Sequence, residues 1–404
     1  MAARNQNRVE RSRSILDMRA GFRIRAPWGH LAVLEGGGHI CELGLNALPG
    51  VNPLWKPPWT TMDPSRYLPG EHHRRYGPPP DGKLLAGIAG HSLSFDHFGP
   101  PSQAETAAGL ATHGEAPVAR WRRLKTASLT GLSYGCTLPA AQIRFRRTIV
   151  PDRAHPVFRI EEFAENLSLY DRPISWNEHV TFGPPFLEPG TTIFDMPATR
   201  AKVCPPSYSK QIFLQPDAEF IWPHGPGKSG AVRNLRTTPN ERFGHYTAQL
   251  LDPGLEIAFI SACNPRQQFL VLYVFRRKDF PWVGNWEEHN HRQGAPWKGE
   301  TFCRGLEFST TPFAIPRRET IDQGPLCGQR TYIWLSAKCA ASIRFLILLF
   351  TVPRDFGGVQ QVSITDGRAL IREAGARQRQ FEVPVGNFLG VERAPQSRAK
   401  GLVR

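Results

Sequence analysis

At 404 residues, with 40% hydrophobic, 10% aromatic and 21% charged side chains, the chain has the composition of a folded globular protein and not of a disordered one. Its formal net charge of +15 comes from 40 Arg and 10 Lys against 35 Asp and Glu. The arginines are scattered and the densest groups, Arg144, Arg146 and Arg147 or Arg317 and Arg318, are short, which argues against nucleic acid and leaves solvated faces or attraction of anionic substrates.

Residues 1–20 are polar and lack the apolar stretch of roughly 7 to 15 residues that a secretory signal needs. They are expected to be a flexible lead-in to a cytoplasmic protein. Seven cysteines, the closest pair being Cys327 and Cys339, form no CxxC pattern, so reduced thiols and no metal are expected. From 21 to 391 one β domain is expected. Pro and Gly, 37 of each, leave little room for long helices.

The segments between them alternate, or are rich in β-branched and aromatic residues, as strands are. HLAVLEGGGHICELGL (30–45) reads as two strands with a turn at Gly36–Gly38. Residues 52–82, rich in Pro and aromatics and holding His72 and His73, read as a binding or lid loop. SQAETAAGL is the one persuasive helix, with Glu105 three residues after Ser102 as a capping box. SLTGLSYG (128–135), AQIRFRRTIV (141–150), VFRIEEFAENLS (157–168), ISWNEHVTFG (174–183), KQIFLQ (210–215), LEIAFISACN (255–264) and FLVLYVFRR (269–277) follow as strands. A second long loop is expected over 281–300, and then TYIWLSA (331–337) and SIRFLILLFTV (342–352) as strands. The apolar run inside the latter, 343–352, is about half of the roughly 20 residues a membrane helix needs, so no membrane association is expected. So many short strands without intervening helices predict an all-β fold, sheets packed face to face in a large antiparallel sandwich. Residues 392–404, polar and basic, read as a flexible tail.

Chemistry can be carried at a few places. His113 in THGEAPVARW sits in a loop beside Gly114, where the competing reading is a structural turn histidine. In ISWNEHVTFGPP, His179 shares a strand face with Asn177, and Trp176 shares the other with Glu178. The strand ends in a Gly-Pro-Pro turn, which puts His179 near a sheet rim, though a satisfied core histidine reads equally well. Glu307 interrupts an apolar strand, so its carboxyl must be paired or shifted in pKa, the plain partner being Arg304. Trp286, Glu287, Glu288, His289 and His291 crowd NWEEHNH, but neither this nor GEHHRRY matches HExxH. No GxSxG, P-loop or dinucleotide fingerprint occurs.

The order GGGHICELGLN, THGEAPVARW, ENLSLYDRPISWNEHVTFGPPF and RGLEFSTTPF resembles aldose 1-epimerase and its relatives in the galactose mutarotase-like superfamily, over roughly residues 30–350. The resemblance implies a β-supersandwich and anomer interconversion of an aldose or sugar derivative. It casts His179 as general acid, Glu307 as general base and His113 as a substrate ligand, with Asn177, Trp286 and Glu288 as further binding residues. Trp55, Trp59, Trp282 and Trp286 would offer flat faces to a pyranose, or else anchor loops. A sugar is the implied partner, without cofactor, on a monomer or homodimer. The family's Asn-Arg-Ile segment is replaced here by AGIAGHSLSFD and its His-Pro-Tyr-Phe-Asn run by HVTFGPPFL, and its mid-chain acidic ligand has no evident counterpart. A non-catalytic sugar-binding protein and a lyase-like enzyme on acidic glycans stay open as alternatives.

Overall fold

A computed structural model describes residues 7–125, 130–206 and 213–391. Every strand ladder among them that joins the two large sheets' members is antiparallel. The larger sheet has twelve strands. It runs from Arg8–Leu16 at one edge through Arg19–Ala26, Gly29–Leu34, Ile40–Leu45, His91–Asp96, Arg172–Phe182, Phe302–Ser309, Trp282–His289, Phe243–Leu251 and Ala198–Val203 to Glu219–Phe220. Ile333–Leu335 pairs beside this path with the start of Arg172–Phe182. The second sheet has eight strands, with Phe269–Arg276, Ala340–Thr351, Val157–Asn166 and Ile143–Pro151 at its centre.

Alternation explains how the sheets meet. Leu93, Phe95, Trp176, Leu306 and Phe308 from the larger sheet and Phe145, Phe158, Tyr273, Phe345 and Ile347 from the smaller point into one buried core. The aromatic rings interlock across it, Phe95 at 4.9 Å from Phe145 and Phe308 at 4.6 Å from Phe275. The apolar run at 343–352 is a strand covered on both faces. Phe345, Ile347 and Leu349 face this core, while Leu346 and Leu348 face a second one against Val362, Ala369, Ile371 and Val383. Those belong to a three-stranded sheet, Val359–Thr365, Arg368–Glu373 and Gln380–Pro384.

The capping box at Ser102 is formed, starting a short helix over Gln103–Ala107. Several expectations need correction. Arg8–Leu16 is no frayed lead-in but an edge strand paired with Arg19–Ala26; residues 1–6 and 392–404 lie outside the described residues. The 281–300 segment is a loop only in its second half, because Trp282–His289 is a buried strand. Within 52–82 lies a helix over Pro69–Tyr76, and Asp81–Leu85 forms another. Residues 210–212 of KQIFLQ are outside the described set, and of the rest Leu214 makes only an isolated bridge to Gly227.

Candidate active site

Backbone register places the chemistry. On the outer face of the larger sheet, His179 stands directly opposite Glu307, and Glu307 opposite Gly284 on the next strand. His179 Nε2 lies 3.1 Å from Glu307 Oε1, and His179 Nδ1 lies 3.0 Å from Thr181 Oγ1. Glycines make the room. A Cβ on Gly305 would stand 3.0 Å from Glu307 Oε1, and one on Gly284 only 2.1 Å from the Tyr246 hydroxyl. Arg304, the partner expected for Glu307, points into the sandwich, where it donates to Asn285 Oδ1 at 2.8 Å and to the Leu235 carbonyl at 2.6 Å.

Both members of the pair are buried, and burial disfavours charge on each. It pushes the Glu307 carboxyl up to about 8 and the His179 imidazole down to about 4. Between those values the pair is neutral and holds one exchangeable acid proton, on Glu307. With Nδ1 donating to Thr181 Oγ1, Nε2 is left to accept from the Glu307 carboxyl.

His113 closes one side. It has φ 67° and Gly114 has φ 82°, a left-handed pair in which a Cβ on Gly114 would meet the Phe95 carbonyl at 2.3 Å. The Gly99 N–H donates to His113 Nδ1 at 3.1 Å, which fixes the neutral tautomer with its proton on Nε2. Burial first, then the neighbouring His179, His97 and Arg292, hold this imidazole well below its ordinary pKa. Its ring stacks on Phe98 and meets His179 edge-on at 5.4 Å.

His113, His179, Glu307, Trp286 and Glu288 all line one cleft of about 570 Å³. The Trp286 ring meets His179 edge-on at 5.6 Å. Glu288 is largely spent on the turn that follows it, its Oε1 accepting from the His291 and Arg292 N–H groups at 2.8 Å each. Asn177 is the misplaced member. It shares the face of His179, as the alternation predicts, but lies between Ser94 and Ser309 with no exposed surface and does not line the cleft. Trp55 and Trp282 are buried structural anchors, and Trp59 donates to the Leu85 carbonyl at 2.9 Å. His72 and His73 sit on the Pro69–Tyr76 helix. Glu287 and His289 face the sandwich interior, where Glu287 lies 3.2 Å from both His245 and His289.

Sequence reasoning missed Tyr246, Trp297, Asp81 and Arg292, which also line the cleft. Tyr246 donates to the Pro312 carbonyl at 3.0 Å. The tryptophan was legible as a loop aromatic; Tyr246 carried no signal beyond a period-two strand.

Behind His179 the strand is tied to the opposite sheet. Arg147 Nη2 donates to Glu178 Oε2 at 2.8 Å, His91 Nε2 lies 2.6 Å from the same oxygen, and Trp176 Nε1 donates to Glu162 Oε2 at 2.7 Å. Arg147 Nε also donates to Glu162 Oε1.

No family model and no curated protein matches the chain. Solved structures do. A galactose mutarotase-like protein from Clostridium acetobutylicum aligns with a TM-score of 0.58 at 13% identity, over 86% of this chain and 99% of its own. A candidate aldose 1-epimerase from Klebsiella pneumoniae gives 0.56 at 13%, over 86% and 88%. A galactose mutarotase related enzyme from Lactobacillus acidophilus gives 0.51 at 12%, over 82% and 98%. At such identities the likeness speaks for the architecture alone.

Proposed function

We propose that this chain, which has the galactose mutarotase-like fold, binds an aldose in the His179–Glu307 cleft and interconverts its anomers. The observation that carries this reading is the buried His179–Glu307 contact at 3.1 Å, facing a cleft of sugar-accommodating size. Anomer interconversion needs one group to take the proton of the anomeric hydroxyl while another gives a proton to the ring oxygen. The C1–O5 bond then breaks, the open-chain aldehyde turns about C1–C2, and reclosure on the other face returns both protons. Proton transfers alone balance the reaction.

A pair that shares one proton suits this cycle. Burial places that proton on Glu307 before the sugar arrives, so ring opening runs with Glu307 as donor to the ring oxygen and His179 as acceptor, and ring closure with the roles exchanged. The resemblance in sequence names the opposite roles, with Glu307 on the anomeric hydroxyl and His179 on the ring oxygen, so the two assignments differ in which oxygen each residue serves. His113 Nε2–H supplies a neutral donor to a substrate oxygen. The acidic-glycan alternative gains nothing from the cleft, whose fixed charges among the described residues are Asp81, Glu288 and Arg292, the last already 3.3 Å from Glu288.

Proton exchange spectroscopy on a panel of neutral aldoses tests the proposal. Wild type accelerates anomer exchange, Glu307→Gln lowers the rate by roughly 10²- to 10⁴-fold, and the variant still binds the sugar. A sugar that binds without accelerated exchange favours the purely binding protein.

A further inference from the structure

The cleft's polar groups are unevenly spread. Besides His113 and the His179–Glu307 pair they include Tyr246, whose hydroxyl donates to the Pro312 carbonyl, His245, which lies 3.2 Å from Glu287, and His291. Thr112 donates to Asp81, and Glu288 holds the backbone of His291 and Arg292. The guanidinium of Arg292 lies 3.3 Å from Glu288 and 4.8 Å above the Trp297 ring. One wall is apolar. Trp286 stands 5.6 Å from His179, Trp297 stands 6.2 Å from Trp286, and Trp297 packs into one cluster with Leu84, Leu85 and Ile88. These side chains line the cleft itself.

A fully hydroxylated pyranose does not match such a wall. Each hydroxyl pressed against it loses water and finds no partner, which costs binding, whereas a methyl or methylene group there gains from burial. Resting on the mutarotase reading, we propose that the substrate is an aldose with a free anomeric hydroxyl and an apolar substituent elsewhere on the ring, a deoxy or O-methyl sugar, the substituent lodging against Leu84, Leu85, Ile88 and Trp297. The anomeric centre would sit at His179 and Glu307 with His113 on an adjacent oxygen.

The test uses matched sugars that differ by one group: D-galactose against 6-deoxy-D-galactose, and D-glucose against 6-deoxy-D-glucose and 3-O-methyl-D-glucose. Dissociation constants for the intact wild-type protein are measured by ligand-observed NMR and anomer exchange is measured separately. At least one substituted sugar is expected to bind roughly tenfold more tightly than its parent. Ile88→Asn, with its fold checked by circular dichroism, is expected to shrink that ratio toward one. Equal or weaker binding of every substituted sugar overturns the proposal, even if the parents exchange rapidly. Selective binding without exchange would instead sink the mutarotase reading and leave this preference for apolar substituents standing.

Discussion

The charge state of Glu307 is the feature of single residues with the most direct consequences. Its pKa rises from 4.5 to about 8 on folding, so the folded state binds the proton more tightly than the unfolded state does. The stability this contributes is fully present below about 4.5 and is lost as pH rises toward 8. Glu307→Gln, which cannot ionise, removes that loss. Denaturant titrations of both proteins should show the wild type losing stability relative to the variant between pH 5 and 8; parallel curves would show that the carboxyl is not held protonated. His179 has the opposite sign, since its pKa is depressed from 6.5 to about 4, and stability attached to its neutral form is lost as pH falls through that interval. At this scale the sequence was informative. His113, His179 and Glu307 stood out because a titratable group beside a glycine, at a strand end or inside an apolar strand needs a reason, and all three meet in one cleft. Asn177 went astray because alternation reveals a residue's face and not how deep along the strand the cleft reaches. Engagement was equally hidden: nothing in NWEEHNH says that Glu288 binds the backbone of its own turn.

Among the elements, glycines on the outer face of the sheet set the geometry. Gly305→Ala brings a Cβ to 3.0 Å from Glu307 Oε1 and 3.4 Å from Trp286, and the side chain is the part that can yield. This variant should fold nearly as well as wild type, with a melting temperature little changed, yet lose most of its exchange activity. Full activity would show that the placement of Glu307 is not critical. Gly114→Ala behaves otherwise, because its Cβ meets a backbone carbonyl at 2.3 Å with φ at 82°. It should destabilise by about 1–3 kcal/mol in denaturant titration. The long, strongly alternating strands were legible from sequence. Arg8–Leu16 was not, since an edge strand that is exposed or half-buried along its whole length needs no apolar face and is held by backbone pairing to Arg19–Ala26 and by pairs such as Arg25 with Glu10. The helix Asp81–Leu85 has only five residues and carries no signal of its own. Tertiary contact of Leu84 and Leu85 with Trp55 and Trp297 supports it.

For the whole molecule, two buried interfaces hold the outer-face chemistry in register. One is the charged network between sheets, with Arg147 between Glu162 and Glu178. Burial raises Glu162 to about 8 and raises Glu178 as well. Arg147→Met would leave carboxyls without their cation, and a loss of about 3–5 kcal/mol is expected in denaturant titration; a loss under about 1 kcal/mol would mean that the carboxyls simply take up protons. The other is the three-stranded sheet over Val359–Pro384, whose Ile371 and Val383 cover the back of Ala340–Thr351. The all-β class and the face-to-face sheets follow from patterning because alternation and turn residues are local. Which strands become neighbours is a long-range outcome, and the pairing of His179 with Glu307, 128 residues apart by the arithmetic of their numbers, is one that patterning alone does not reach. The central claim is that a buried pair sharing one proton opens and closes a sugar ring. The most direct test is the pH dependence of catalysed anomer exchange in the wild-type protein, measured by NMR on the sugar that exchanges fastest. The account predicts a bell with limbs near 4 and 8, from His179 and Glu307 of the free protein; a rate no greater than that of buffer at every pH, or one flat across this range, would contradict it.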